Sequence, residues 1–214
     1  DCECENDELI EMLKNSSDII NNSRIREIAA TIREKESLAA TRFIGIPDNQ
    51  VHFLKLPFYE TGTVKKNIPT VEDKKIISET IKKIKPHQIY AAGDLADPHG
   101  THKVCLDILF DSLKDLKSKT FMNDCWVWLY RGVWHEWDTH DIDMAVPMSP
   151  DQVIRKRKAI FYHQTQKDDV MFQGDDSREF WVRVEERNRS TAIKYNDLGL
   201  TEYAAIEGFK RFFF

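Results

Sequence analysis

Short apolar runs alternate with longer amphipathic stretches along this chain. Three runs, at residues 51–56, 88–92 and 125–130, are rich in β-branched and aromatic side chains and lie between turn-forming residues, so they predict strands. Around them, apolar positions recur near the 3.6-residue period of an α-helix. The helices predicted in this way cover residues 7–15, 23–41, 71–84, 103–116, 150–163, 177–188 and 201–212.

Two of these helices begin with capping signals. Thr70 precedes the helix at 71–84, and Asp73 follows three residues later in the pattern of a capping box. Ser149 precedes Pro150, which places a capping hydroxyl before a proline at the first helical position. The sequence therefore predicts where both helices begin.

The order of the elements predicts an α/β fold. Strands separated by helices favour a Rossmann-like layered fold, with a mostly parallel sheet flanked by helices. The length, 214 residues, suits a single domain. Three strands are few for that length, and the chain opens with Asp1 in a charged helical segment. We therefore expect one N-terminally truncated domain, residues 1–214, whose first strand is missing.

The composition narrows the classes of partner. The chain is 41% hydrophobic and 31% charged, with a net charge of −5, which gives no general attraction to nucleic acid or to an anionic membrane. No run approaches the roughly 18 apolar residues of a membrane helix, and no signal peptide opens the chain. Four cysteines are too few for a disulfide scaffold, and Cys2 and Cys4 lack a second pair at structural-zinc spacing. We expect a cytoplasmic protein that binds a small molecule.

The residues that follow the strand at 88–92 carry the most chemical information. Asp94, Asp97, His99 and His102 lie where this strand gives way to a helix. Ligands bind at that edge of an open α/β sheet, and histidines three apart share one helical face. Imidazole is also the commonest protein ligand for a divalent metal. The alternative is a solvated, turn-rich loop in which both aspartates form turns or cap the helix.

Three further segments are weaker candidates. Residues 134–141 hold two histidines and two aspartates, but an extended segment directs alternate side chains to opposite faces, which disfavours a metal cluster. Trp134 or Trp137 either stacks on a sugar ring or packs at a strand edge. The basic run 155–158 is either the solvated face of its helix or a contact for a sugar phosphate. His163 is expected to hold that helix against the rim of the site.

Four blocks, in this order, resemble the LmbE-like or PIG-L-like family of zinc-dependent N-acetyl-sugar deacetylases. The resemblance is greatest to the LmbE-like region fused behind a glucosamine-6-phosphate deaminase domain in proteins of the Bacteroidetes type. The blocks are Arg33-x-x-Glu36, the segment 51–57, the segment 85–102 with His99-Gly-Thr-His102, and the segment 149–166 with His163-Gln-Thr-Gln166.

The resemblance implies roles for the histidines. His102 corresponds to the zinc ligand, and His99 to the catalytic histidine beside the scissile amide, with Asp94, Asp97, Trp134 and His163 around them. Two departures stand out. The family's His-Pro-Asp-Asp-Glu motif, which supplies two ligands and the general base, occurs nowhere in the chain. In addition, where the family has His-Pro-Asp-His, this chain has His99-Gly-Thr-His102. We therefore expect the remaining zinc ligands upstream of this chain.

The function implied by the resemblance is a zinc-dependent hydrolase of the N-acetyl-sugar deacetylase type. It would act on a small amino sugar within a longer protein of amino-sugar metabolism, and we expect that protein to carry the name glucosamine-6-phosphate deaminase and to form a homo-oligomer. The alternative is a non-catalytic LmbE-like module that binds an amino sugar or mediates assembly, attached to such a deaminase. A His-Pro-Asp-Asp-type motif upstream would favour the enzyme.

Overall fold

Four strands form one mixed sheet in a computed structural model that describes residues 23–59, 66–93, 100–132, 135–168 and 177–214. They are β1 (Gln88–Ala92), β2 (Trp126–Tyr130), β3 (Met144–Met148) and β4 (Ala205–Phe212). Their order across the sheet is β1-β2-β4-β3. The β1–β2 pairing is parallel, whereas β4 runs antiparallel to both β2 and β3. Three strands therefore point the same way, with β4 reversed between two of them.

Five helices accompany the sheet, together with short 3-10 turns. The helices are α1 (Ser23–Ile44), α2 (Val71–Ile84), α3 (Thr101–Leu116), α4 (Pro150–Phe161) and α5 (Phe180–Asp197). Helices α2 and α3 pack against each other, α1 packs on α4, and α5 packs on β4. None of the helices in the described part of the chain has the length and apolar character needed to cross a membrane.

The main core lies between the sheet and the α2–α3 pair. Val127 and Leu129 of β2 direct their side chains to this side, where they meet Leu113 and Leu116 of α3. The α/β class and the helices on the sheet are thus confirmed. The predicted helices at 23–41, 71–84 and 103–116 are confirmed, as are the strands at 88–92 and 125–130, all with small shifts of their ends. The predicted helix at 7–15 lies outside the described residues.

The prediction of a mostly parallel sheet is wrong, since two of its three pairings are antiparallel. The cause is the segment 201–212, which we predicted as a helix and which instead forms β4. Its place between two strands satisfies its backbone through ladders on both sides, and this tertiary pairing overrides the local preference. Strand β3, which contains Pro147, was not predicted at all.

The strand predicted at 51–56 is also wrong. These residues pair with no strand in the described structure, and Lys55 has a φ of 47°, which interrupts extended backbone. Phe53 and Leu54 are 39% and 37% exposed, so the pattern that suggested a strand is not used for burial here.

Further along the chain, the helix predicted at 177–188 begins later and continues to Asp197.

The predicted capping box at the start of α2 is confirmed and ties this helix to the core. The buried Asp73 carboxylate accepts hydrogen bonds from the Thr70 N–H at 2.8 Å and the Thr70 hydroxyl at 2.9 Å. It also accepts the N–H of Phe58 at 2.9 Å. Burial alone would raise the pKa of Asp73, but these hydrogen bonds outweigh it and lower the pKa below its usual value.

We expect Asp73→Asn to lower the free energy of unfolding by about 1–3 kcal/mol at pH 7, because the new amide directs a donor at buried N–H groups. A lowered pKa in the folded state means that ionised Asp73 stabilises the protein above pH ~4, and that this contribution is lost as the pH falls through the folded-state pKa. Urea unfolding at pH 7 and pH 3 should therefore show a smaller mutational loss at pH 3.

The exposed Glu72, in the same turn, provides the control for this experiment. Glu72→Gln should change the free energy of unfolding by less than about 0.5 kcal/mol. An Asp73→Asn loss equal to that of the control, or one that grows at low pH, would contradict the assigned role.

Candidate active site at the carboxyl end of the sheet

His102 lies in the first turn of α3, the helix that follows β1 along the chain, and it is exposed. The strand ladder continues one residue past β1, where the Gly93 N–H donates to the Tyr130 carbonyl at 2.7 Å. Gly100, with a φ of 69°, then turns the chain into the helix. The predicted strand-to-helix position of His102 is therefore confirmed. Asp94, Asp97 and His99 lie outside the described residues, and their roles stay predictions.

The Trp137 indole packs across the carboxyl ends of β1 and β2. Its N–H donates to the Leu129 carbonyl at 3.2 Å. A Cβ atom at Gly93 would lie 3.2 Å from the indole and 2.7 Å from the Leu129 Cβ, so only glycine allows this close approach. The Arg131 guanidinium lies 4.6 Å from the centre of the indole. Trp137 thus packs at a strand edge, while Trp134 lies outside the described residues.

A buried charge network lies directly beside this edge. The Arg187 guanidinium, from α5, donates to the Arg131 carbonyl at 2.8 Å, and its side chain is only 9% exposed. It also forms a hydrogen-bonded ion pair with Glu207 of β4 and a 3.4 Å ion pair with Glu136. One cation therefore connects the segment that follows β2 with α5 and β4.

Lys156 and Asn188 complete the network around Glu207. The Lys156 ammonium donates to Glu207 at 2.5 Å and to the Asn188 side-chain carbonyl at 2.7 Å. The Asn188 amide in turn donates to the Ile206 carbonyl and to Glu207, both at 3.1 Å. Four charged side chains from four separate segments are thus paired within one interior region.

The pKa values of the two carboxyls in the network are shifted in opposite directions. Burial raises the pKa of Glu136, and Arg187 only partly offsets it. Burial would also raise the pKa of Glu207, but Lys156 and Arg187 together lower it. Glu136 accepts the backbone N–H of Trp137 at 2.9 Å, so this carboxylate also orients the residue that covers the sheet edge. The network therefore holds the loop beyond β2 in place.

Sequence reasoning did not single out Glu136, Arg187 or Glu207. Arg187 and Glu207 are 20 residues apart, and Glu136 is 51 residues from Arg187, so no local pattern relates them. The available signal was indirect, because an arginine on the sheet-facing side of a helix requires an acidic partner. That partner could not be named before β4 was recognised as a strand.

Asp138, His140 and Asp141 form a compact surface group. One potential ligand atom from each lies within 4.8 Å of the others. The expectation that these side chains diverge is wrong, because Thr139–Asp141 is a 3-10 turn and not an extended segment. Asp141 is already bound to Lys210 at 2.5 Å, and this hydrogen bond lowers its pKa. Its carboxylate therefore already serves an ion pair.

His163 lies just beyond α4, and its N–H donates to the Ile160 carbonyl at 2.9 Å. Two residues later, Thr165 donates its N–H and its hydroxyl to Glu36 of α1, both at 2.8 Å. Two of the blocks that carry the family resemblance therefore contact each other. The structure places His163 in this α1–α4 layer and His102 on α3, and a role for His163 at the site stays a prediction.

The basic run at 155–158 is more than a solvated face. Lys156 pairs with Glu207, and Arg157 donates to Glu185 at 2.7 Å. Arg155 donates to the Ile44 carbonyl at 3.0 Å. Three of the four side chains therefore join α4 to neighbouring elements, so the interpretation of a purely solvated face is wrong for them.

One curated protein is clearly homologous to this chain. It is a putative glucosamine-6-phosphate deaminase-like protein from Bacteroides thetaiotaomicron, 46% identical over 205 residues that cover 94% of this chain. The chain spans only 31% of the length of that relative. No family model matches the sequence.

Several solved structures share the fold. The N,N'-diacetylchitobiose deacetylase from Pyrococcus horikoshii has a TM-score of 0.54 at 21% identity, covering 86% of this chain and 64% of its own. A deacetylase of the teicoplanin biosynthetic pathway gives 0.55 at 15% identity, covering 86% and 73%. This chain shares the α/β fold of these two enzymes. The GalB hydratase from Pseudomonas putida gives 0.58 at 12% identity, covering 93% and 79%, so the same fold also carries a hydratase.

The comparisons confirm the resemblance that the sequence suggested. The homologous protein carries the glucosamine-6-phosphate deaminase-like name, and two of the fold relatives are deacetylases. At identities below 25%, the solved structures establish the fold and no more. The reaction must therefore be argued from the residues at the sheet edge.

Proposed function

We propose that this chain is the deacetylase-type region of a longer amino-sugar protein and takes part in metal-dependent hydrolysis of an N-acetyl sugar. The observation that carries the proposal is the position of His102, exposed in the first turn of α3, the helix that follows β1. In α/β sheets, ligands bind at the edge where a strand gives way to such a helix. The amino-sugar assignment is supported by the name of the homologous protein.

The chemistry of His102 fits a zinc ligand. Imidazole nitrogen is a preferred donor for zinc, and His102 is exposed in the first turn of α3. We assign His102 as a ligand and His99 as the histidine beside the scissile amide, with the other ligands from outside this chain. A bound zinc would lower the pKa of a coordinated water to about 7 and so supply hydroxide at neutral pH.

The residues of this chain would orient the substrate and move a proton. In the proposal, His99 stabilises the developing oxyanion or protonates the departing amine. The Trp137 indole would form one side of the substrate site at the end of the sheet. Its position depends on Gly93 and on the Glu136–Arg187 pair. The general base belongs to the part of the site that this chain does not supply.

The second candidate is a non-catalytic module that binds an amino sugar or supports assembly. It is favoured because the described residues place no three possible metal ligands together around His102. The group that they do form is Asp138, His140 and Asp141, and the Asp141 carboxylate of this group is bound to Lys210. Among the described residues, no other group of three possible ligands is present. A module of this kind would bind the sugar without releasing acetate.

We expect the complete protein to bind about one zinc ion per deacetylase-type region, and the 214-residue chain alone to bind it weakly or not at all. Titration calorimetry on both proteins measures this. Tight, stoichiometric zinc binding by residues 1–214 alone would contradict the proposed division of the ligands.

The matched assay measures acetate release from N-acetylated amino sugars and their phosphates by the complete protein. A chelator should abolish the release, and added zinc should restore it. Release that survives complete metal removal would contradict metal dependence. Sugar binding without any release would favour the non-catalytic module.

A further inference from the structure

Three exposed apolar side chains lie on the short segment between α5 and β4. They are Leu198, Leu200 and Tyr203, which are 66%, 54% and 43% exposed. Single apolar side chains are common on protein surfaces, whereas a contiguous group of large ones marks a contact surface. The described residues leave about half of each of these side chains open to solvent. We refer to residues 198–203 as the α5–β4 turn.

A Schellman motif fixes the backbone of this turn. The Gly199 N–H donates to the Asn196 carbonyl at 2.8 Å, which closes the inner bond of the motif. The Leu200 N–H donates to the Tyr195 carbonyl at 3.3 Å, which closes the outer bond. Gly199 has a φ of 82°, in the left-handed region that favours glycine. The exposure of Leu198 and Leu200 is therefore set by the way in which the helix ends.

The α5–β4 turn lies at the carboxyl end of the sheet, away from β1. β3 runs parallel to β2, because β4 is antiparallel to both of them. Ala205, at the start of β4, pairs with Met148 at the end of β3. The turn that precedes Ala205 is therefore at the same end of the sheet as Trp137, and β2 separates it from β1. A surface docked on this turn would lie at the end of the sheet that holds the candidate site.

Two acidic side chains flank the apolar ones. Asp197 is the last residue of α5, Glu202 precedes Tyr203, and both are exposed. Among the described residues neither carboxylate has a hydrogen-bond or ion-pair partner, and the exposed Lys194 of α5 pairs with neither. Interfaces have an apolar centre and a polar rim, and their charges are complementary. The turn therefore fits an apolar surface that is surrounded by basic side chains.

We propose that the α5–β4 turn docks another folded part of the same polypeptide, outside the 214 residues, through an apolar surface with basic side chains around it. This inference rests on the part of the proposed function that places the chain in a longer protein. The chain spans 31% of the length of the homologous protein, so most of that protein lies outside the aligned region. Surfaces between domains of one chain are commonly small and partly polar, as this one is.

The size of the exposed surface favours a tethered partner over a second copy. Three half-exposed side chains offer on the order of 300 Å², whereas a stable interface between separate molecules buries about 800 Å² on each partner. A tethered part binds at a high effective concentration and loses less translational freedom on docking, so a small contact is sufficient. The same contact would not hold two separate molecules together.

Photo-crosslinking in the complete protein tests the proposal. Benzoylphenylalanine takes the place of Tyr203, the protein is irradiated at low concentration, and mass spectrometry identifies the peptide that becomes attached. We expect a crosslink within one molecule, to a peptide outside the 214 residues.

Two double variants, made in the same crosslinking protein, test the role of the leucines. Leu198→Asp/Leu200→Asp should lower the yield of the crosslink at least about tenfold, because the lost apolar burial exceeds the free energy of a tenfold change in an equilibrium constant. Both leucines are exposed, so we expect the variant to stay folded. Ile68→Asp/Val71→Asp makes the same kind of change at side chains that are 86% and 83% exposed elsewhere, and it should leave the yield unchanged.

Four results would overturn the proposal. Crosslinks only between two molecules would identify a second copy as the partner, and crosslinks only to residues 1–214 would mean that the chain covers its own turn. The absence of any crosslink to protein would mean that nothing docks there, and equal yields in the two double variants would mean that the leucines are not the contact. Zinc binding and acetate release are measured on the same proteins, so failure of the proposed function is seen separately from failure of docking.

Discussion

We expect His102→Ala to abolish zinc binding and acetate release by the complete protein together. The loss of activity should exceed the factor of about 10²–10⁴ that removal of an acid–base group costs. The reason is that loss of a metal ligand removes the zinc, and with it the hydroxide that would attack the amide. His102 is exposed in the first turn of α3, and substitutions at exposed positions usually change the free energy of unfolding by less than about 0.5 kcal/mol, so we expect the variant to stay folded. Zinc content and kcat/KM measure the two effects.

Two companion variants separate the possible explanations. His52→Ala, which removes another exposed imidazole, should retain both zinc and activity. His99→Ala should retain zinc and lower kcat by about 10²–10⁴-fold. If His99→Ala removes the metal while His102→Ala does not, the two assigned roles are reversed. If neither affects the metal, the proposed site is wrong.

The second large effect concerns stability. We expect Arg187→Met to lower the free energy of unfolding by about 3–5 kcal/mol, because it leaves Glu136 and Glu207 buried without their shared cation. Arg189→Met is the matched control on the same helix. The Arg189 side chain is 48% exposed and pairs with Glu185 at 3.8 Å, so its loss should cost less than about 1 kcal/mol.

The loss of stability in Arg187→Met should depend on pH. Burial already raises the pKa of Glu136, and removal of Arg187 should raise it further. The same change should also raise the pKa of Glu207, which Lys156 and Arg187 lower in the native protein. A carboxyl whose pKa is raised by folding favours the folded state at low pH, and this contribution is lost as the pH rises. The deficit of Arg187→Met should therefore be largest at neutral pH and smaller near pH 4. A deficit below about 1 kcal/mol at pH 7 would contradict a buried network.

Local signals predicted the elements that depend on local contacts. The capping box of Thr70 and Asp73 involves residues three apart, and the start of α4 at Pro150 follows from Ser149 alone. The place of His102 at the start of the helix that follows β1 was predictable for the same reason, since the strand and the helix each show their own local pattern. These features need no knowledge of the rest of the fold.

The failures share a different cause. The segment that forms β4 was predicted as a helix from its local pattern, and it becomes a strand because β2 and β3 pair with it on both sides. Residues 51–56 have the pattern of a strand, but a strand needs a neighbour, and the described structure provides none. Strand identity is therefore a property of pairs of segments, which a single window of sequence does not contain.

The sequence by itself determined the α/β class, the starts of α2 and α4, and the place of His102 at the start of the helix after β1, because short-range capping and periodicity govern these features. Only the tertiary structure decided the reversed β4 and the burial of Arg187 between Glu136 and Glu207. These charges come together only after distant segments have paired, and their energy depends on burial in the folded state. The charge network therefore follows from the sheet order, and no local pattern in the sequence could reveal it.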